Sequence, residues 1–189
     1  MRYSERITTM QSSPIRKLAP IASSAKAKGI KIYHLNIGQP DIKTPKVFFE
    51  AVKNFNNEVL EYAVSPGLPE LIYSLQQYYT TYNMDFESDE ILVTNGGSEA
   101  LLFALMATCD PKDNILVPEP FYSNYNGFSQ SINVNITPIT TKAEEGFHLP
   151  SKEKIQSLIT SKTKAILISN PGNPTSTVYT KKNFTWFQK

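Results

Sequence analysis

A single cysteine in 189 residues rules out an internal disulfide, so burial and hydrogen bonding must hold this chain together. That residue, Cys109, lies in an apolar run of helical character with neither histidine near it in sequence, and it reads as a core residue rather than a nucleophile. The two histidines, His34 and His148, stand far apart, and neither is assigned a metal. Charge of either sign is scarce: a net +2 with 19% charged residues leaves no electrostatic footprint for nucleic acid. No stretch is apolar and long enough to span a bilayer, and Met1 to Arg6 has no apolar signal core behind it, which predicts a cytoplasmic protein. Internal repeats and low-complexity segments are also missing. What remains is an ordinary globular composition, 40% hydrophobic, sufficient for one sizeable core but not for two complete large domains.

The most informative stretch is Ile91-Leu92-Val93-Thr94-Asn95-Gly96-Gly97-Ser98-Glu99, which continues apolar to Ala107. It predicts a buried strand over Ile91 to Thr94 that turns directly into a helix. Two glycines allow close backbone approach, Ser98 offers a hydroxyl at the helix start, and the helix dipole favours an anion there, so the turn suits a phosphate. An ordinary tight connection with a serine cap would use the same residues, and the turn alone does not decide between them. Glu99 in the first helical turn complements the dipole.

Around this stretch the chain punctuates itself with proline. A polar arm, Met1 to Ser13, precedes a helix that Pro14 opens and Gly29 closes. Ile30 to Asn36 alternates like a short strand and is broken by Ile37-Gly38-Gln39-Pro40-Asp41. Pro45 starts a helix to about Asn56, and Pro69 another with Leu71, Leu75 and Tyr78 at helical spacing. After the central turn come a buried strand at Ile115 to Val117 and a loop Pro118 to Tyr122. A helix near Asn124 to Ser131 follows, then a weaker strand from Val134 to Ile136 ending before Pro138. Ser151 caps a helix through Ile159. The last strand, Lys164 to Ser169, ends in Asn170-Pro171-Gly172-Asn173-Pro174-Thr175. Alternating strands and helices predict an α/β fold, a mainly parallel sheet with helices on both faces. Ligands of such sheets bind beyond the carboxyl ends of the strands, where the turns at 95–98, 118–122 and 170–175 can line one edge.

In that order these segments resemble the class I/II aminotransferases of the aspartate aminotransferase type, which are fold type I pyridoxal-phosphate enzymes. The resemblance runs from Pro14 to about Thr180 and implies transfer of an amino group between an amino acid and a 2-oxo acid, with pyridoxal 5'-phosphate as cofactor and a homodimer as the assembly. By the same resemblance, Gly96, Gly97 and Ser98 form the phosphate turn and Tyr122 stacks on the cofactor ring. Asn173 donates to the ring oxygen, Tyr62 reaches the phosphate of the neighbouring subunit, and the Gly38 amide faces the substrate carboxylate. Physical chemistry supports these roles: an aromatic face holds a flat cationic ring, and an amide donor stabilises a phenolate. Taken singly, Gly38 and Asn173 would be turn residues and Tyr62 a surface aromatic.

The chain also departs from the family. Ser176 stands where glycine is usual, so either it takes an ordinary backbone conformation or the turn changes. The Schiff-base lysine, the aspartate beside the ring nitrogen and the arginines for substrate carboxylates all correspond to sequence after Lys189. No lysine present is nominated, none being read as standing in the family's Ser-x-x-Lys or Ser-x-Lys context, and no catalytic residue is assigned. The expected organisation is an arm and small-domain segment over 1–45, an incomplete cofactor-binding domain over 46–180, and an atypical tail over 181–189 of the kind a truncation or frameshift leaves. A fragment of this kind, inactive alone, would expose sheet edges beside residues 91–94 and aggregate. The alternatives are a related lyase or synthase and a non-catalytic cofactor-binding module. No helix-turn-helix precedes Pro14, which counts against a transcription regulator, and the turn lacks the three-glycine spacing of a dinucleotide fold.

Overall fold

A computed structural model describes residues 2–10, 14–36 and 38–185. The chain divides into two compact units, Met1–Leu18 with Gly97–Lys189 and, separately, Ala19–Gly96. In chain order the helices are α1 Glu5–Thr9, α2 Pro14–Lys17, α3 Ala19–Ala27, α4 Lys46–Lys53, α5 Pro69–Thr80, α6 Gly97–Thr108, α7 Asn124–Ser131, α8 Lys152–Gln156 and α9 Lys181–Thr185; the strands are β1 Asn114–Glu119, β2 Asn135–Thr140 and β3 Thr163–Ile166.

The first unit carries the sheet. Its order is β2-β1-β3, and both pairings are parallel, Ile115 lying opposite Ile136 on one side and opposite Ala165 on the other. The central strand is inaccessible because successive side chains point to opposite faces and both faces are covered. Ile115 and Val117 pack with Leu105 of α6, Tyr125 of α7 and Val134. Leu116, facing the other way, packs with Ile139, Leu149, Ile155 of α8 and Tyr179, while Phe184 of α9 closes over that cluster. The parallel sheet with helices on both faces is therefore present, and each fully buried aliphatic of β1 contributes about 1.5–3 kcal/mol. Cys109 lies half-buried against the first cluster, as its sequence context predicts. Its α6 is apolar nearly all round.

Asp113 anchors the amino end of the sheet. Its side chain is 4% exposed, accepts from the Asp110 amide at 2.9 Å, and has the ammonium groups of Lys164 and Lys162 at 3.9 and 4.0 Å. Beside it Asn114 ties the three strands together, donating to Thr137 Oγ1 at 2.8 Å and accepting from Thr163 Oγ1 at 3.2 Å.

Several expected boundaries shift for identifiable reasons. The weak strand does not stop before Pro138 but runs through it to Thr140. Pro138 pairs with Val117 on an edge strand, where its missing N–H need not serve a second neighbour. The helix capped by Ser151, whose Oγ accepts from the Lys154 amide at 3.3 Å, ends at Gln156 rather than Ile159. The helix opened by Pro14 is interrupted at Leu18, the residue before Ala19-Pro20, and Gly29 takes the left-handed φ of +79° that ends α3.

The second unit differs more. Ile30 to Asn36 is not a strand; without a neighbouring ladder Tyr33 and Leu35 are 73% and 98% exposed. Ile91 to Thr94 is not a strand either. It joins none of β1, β2 and β3, and Val93 instead donates its amide to the Pro66 carbonyl at 2.8 Å. In α5 the buried residue is Ile72, while Leu71 and Tyr78 face outward. Helix α4 buries nothing, and its Phe48 and Phe49 meet edge to face at 5.4 Å.

Ser176 has a φ of +57°, the left-handed conformation that favours glycine, and not the ordinary backbone that the sequence allows for. Its amide donates to the Gly172 carbonyl at 2.7 Å and Gly172 returns a bond to the Thr177 carbonyl at 2.8 Å, so the turn holds the strained residue in place. Since a non-glycine residue there costs about 1 kcal/mol, Ser176→Gly is expected to raise stability by about that much, measured as a higher urea midpoint at unchanged slope.

Candidate functional site

Two of the three turns that follow strands in the expected scheme do follow strands of the sheet, β1 and β3. The third leads into α6 from the unpaired segment at 91–94. There Thr94 Oγ1 donates to the Gly96 carbonyl at 3.0 Å, the Gly96 amide donates to the Thr94 carbonyl at 2.7 Å, and Gly96 has a φ of +82°. That conformation is cheap only for glycine. Gly97 then opens α6. A Cβ built on Gly97 would meet nothing within 4 Å, so the backbone there faces open space.

The space is a cavity of about 660 Å³ lined by Gly97, Ser98, Ala100, Leu101, Ala104 and Tyr122. Helix geometry produces this lining: positions 97, 100, 101 and 104 fall on one face of α6, and Tyr122 arrives from the loop after β1. The Tyr122 hydroxyl accepts from Asn124 Nδ2 at 2.6 Å, and its ring meets Tyr125 edge to face at 5.5 Å. One end of the cavity is thus a helix start with a serine hydroxyl, and the rest is aliphatic wall and an aromatic ring. Such a donor set fits an anion joined to a flat aromatic ring. Pyridoxal phosphate has that form, and the residues present fit it.

Asn173 lies elsewhere. It borders a separate cavity of about 20 Å³, shared with Phe121, Tyr125 and Ser169, which has room for a water and no more. The loop that carries it is well tied: the Tyr179 amide donates to Asn170 Oδ1 at 2.9 Å, and Ser169 Oγ donates to the Pro171 carbonyl at 3.1 Å. The Glu119-Pro120, Asn170-Pro171 and Asn173-Pro174 bonds are cis.

Tyr125 stands behind Tyr122 at the Asn173 cavity, and the sequence reading missed it. It lines the Asn173 cavity, touches Tyr122, and stacks nearly parallel to Phe121 at 6.2 Å. Burial pushes its phenol above the usual range, with the Ser169 hydroxyl opposing and Tyr122 adding slightly, so it stays protonated through neutral pH. The signal was available: Tyr125, Phe128, Ser129 and Ile132 recur at helical spacing and define the inward face of α7.

Gly38 and Tyr62 belong to the other unit. Tyr62 is fully exposed, and a Cβ on Gly38 would meet nothing within 4 Å, so nothing among the described residues makes glycine sterically necessary there. Ile37, beside it, lies outside the described residues. So do Met1 and Gln11–Ser13 of the arm and residues 186–189 of the tail.

The lysines require a correction. The spacing Ser-x-x-Lys does occur, at Ser23–Lys26, Ser151–Lys154 and Ser161–Lys164. Lys26 is exposed on α3, Lys154 is exposed on α8, and Lys164 pairs with Asp113 at the opposite end of the strands from the turns. Neither cavity is lined by a lysine. Spacing alone was therefore too weak a criterion, and what the structure adds is that none of these three lysines lines either cavity.

Comparison with known proteins matches residues 30–186 to the family described as aminotransferase class I and II. A probable aspartate aminotransferase from Methanocaldococcus jannaschii is 34% identical over 95% of this chain and 46% of its own length. An asparagine–oxo-acid transaminase from Streptococcus mutans is 30% identical over 96% of this chain and 47% of its own. Among solved structures, an aspartate aminotransferase from Thermotoga maritima superposes with a TM-score of 0.90 at 31% identity, covering 98% of this chain and 50% of that one. The chain spans about half the length of the curated relatives it matches. With the parallel sheet and the turn into α6 in place, this chain belongs to the class I and II aminotransferases.

Proposed function

We propose that the chain is the cofactor-gripping part of a pyridoxal-phosphate-dependent aminotransferase that moves an amino group between an amino acid and a 2-oxo acid. The observation that carries the reading is the single cavity uniting the start of α6 with the Tyr122 ring. The Gly96-Gly97-Ser98 turn binds the phosphate: the backbone comes close where no Cβ intervenes, the helix start favours negative charge, and the Ser98 hydroxyl adds a donor. Tyr122 holds the ring by its face, and its own hydroxyl is fixed by Asn124. Ala100, Leu101 and Ala104 supply the apolar wall beside it. Asn173, on the loop after β3, would donate its side-chain amide to the ring oxygen. When bound, the cofactor supplies an electron sink for the pair left by the α-proton of the amino acid.

In the same reading, Gly38 contributes an amide to the substrate carboxylate and Tyr62 serves the site of a second subunit in a homodimer. The full exposure of Tyr62 is compatible with that role. The organisation proposed is an arm and small-domain segment over 1–45, a cofactor-binding part over 46–180 and a distinct tail over 181–189. No helix among the described residues is long and apolar enough to cross a membrane, which supports a cytoplasmic protein. Titration of the chain with pyridoxal phosphate, followed by absorbance, tests the reading. Saturable binding that inorganic phosphate displaces is expected, and Ser98→Ala should weaken it about ten- to a hundredfold, the share of one hydrogen bond to a charged group. Binding that ignores both phosphate and Ser98 would remove the turn from the site.

A further inference from the structure

The arm at the start of the chain contacts a helix that the site depends on. Arg6 Nη1 donates to the Ser131 carbonyl at 2.8 Å, and Gln130 Nε2 donates to Thr9 Oγ1 at 3.1 Å, contacts that span more than a hundred residues of sequence. Ser131 is the last residue of α7. The four carbonyls at a helix C-terminus lack partners within the helix, and here each finds a different one. Phe128 accepts from Ser131 Oγ at 2.7 Å, Ser129 from the Val134 amide at 2.9 Å, and Gln130 from the Asn133 amide at 3.1 Å. Among the described residues, the Ser131 carbonyl is the one of the four bonded from outside this stretch of chain. The last turn of α7 also contains no basic residue, so Arg6 supplies the cation that the negative end of the helix dipole favours.

Helix α7 is eight residues long, and Ser123 provides no side-chain cap at its other end. So short a helix has little stability of its own, and its end contacts decide where it sits. Its first turn carries Tyr125, which meets Tyr122 edge to face and lines the Asn173 cavity. We propose that Arg6 is a positioning residue: by capping the C-terminus of α7 it fixes the Tyr122–Tyr125 pair that forms the aromatic wall of the site. The consequence for cofactor affinity rests on the reading of Tyr122 given above, whereas the consequence for the two rings does not.

The test compares Arg6→Ala and Arg6→Lys with the unaltered chain. One readout is hydrogen exchange of the α7 amides, a second is the NMR signals of the Tyr122 and Tyr125 rings without cofactor, and a third is the dissociation constant for pyridoxal phosphate. Arg6 is exposed, so both variants are expected to keep the fold, checked by unchanged exchange in β1. Arg6→Ala should speed α7 exchange about fivefold, shift both ring signals and weaken cofactor binding by a similar factor, with Arg6→Lys restoring part of each. Unchanged α7 exchange or unmoved rings would overturn the proposal. Faster exchange and moved rings with undiminished affinity would uphold the positioning of the two rings by Arg6 and take Tyr122 out of the cofactor reading. If the unaltered chain binds no pyridoxal phosphate, the cofactor reading fails while the ring signals still decide the role of Arg6.

Discussion

Gly67→Ala is expected to destabilise the Ala19–Gly96 unit by about 3 kcal/mol and to abolish protection of the Val93 amide from exchange. Gly67 has a φ of +120°, a backbone region open in practice to glycine. A Cβ there would lie 2.5 Å from Val93 Cγ2 and 2.6 Å from Val93 Cβ, far inside contact distance. The branch point of valine cannot rotate away, so the backbone must give. It gives at a critical place, because the neighbouring Pro66 carbonyl accepts the Val93 amide at 2.8 Å and thereby holds the segment that leads into the glycine turn. Strain and overpacking each cost about 1–3 kcal/mol, which sets the magnitude. A urea midpoint and a Val93 exchange rate matching those of the unaltered chain would show that this approach is not what holds the segment. Part of the reason for glycine in the Ser65-Pro66-Gly67 segment is therefore structural, quite apart from any role of nearby Tyr62.

Much of the first unit was legible in the sequence because its signals are local. The apolar run at Ile115 to Val117 could only be a strand covered on both faces, and Ser151 with its following turn announced a helix start. The turn into α6 was legible for the same reason, since Gly-Gly-Ser before an apolar helix is a short-range pattern. What failed depends on partners far away in sequence. Ile91 to Thr94 has strand composition, but a strand needs a ladder, and none of the three strands pairs with it. Ile30 to Asn36 alternates correctly and fails for the same reason. Pro138 was read as a stop because proline breaks a central strand, and only the sheet order reveals that β2 is an edge. Tyr125 was legible as an inward residue of α7 from its helical spacing, but nothing in the sequence says that the loop after β1 brings Tyr122 against it. Ser176 shows the limit of family patterns, since the backbone kept the glycine conformation without the glycine.

The account's central claim is that this chain grips pyridoxal phosphate without the lysine that would bind it covalently. Borohydride reduction of the chain saturated with pyridoxal phosphate, followed by mass mapping of its peptides, tests that claim most directly. Reduction fixes a cofactor aldehyde to whichever amine it has joined, so a dedicated lysine appears as one fully labelled peptide. None of the lysines in Ser-x-x-Lys spacing lines the cavity at the start of α6, and Lys164 is engaged by Asp113 at the other end of the sheet. The expected result is saturable, phosphate-sensitive binding with only scattered, substoichiometric label over surface lysines. Stoichiometric labelling of one lysine within residues 1–189, or no saturable binding at all, would contradict the account.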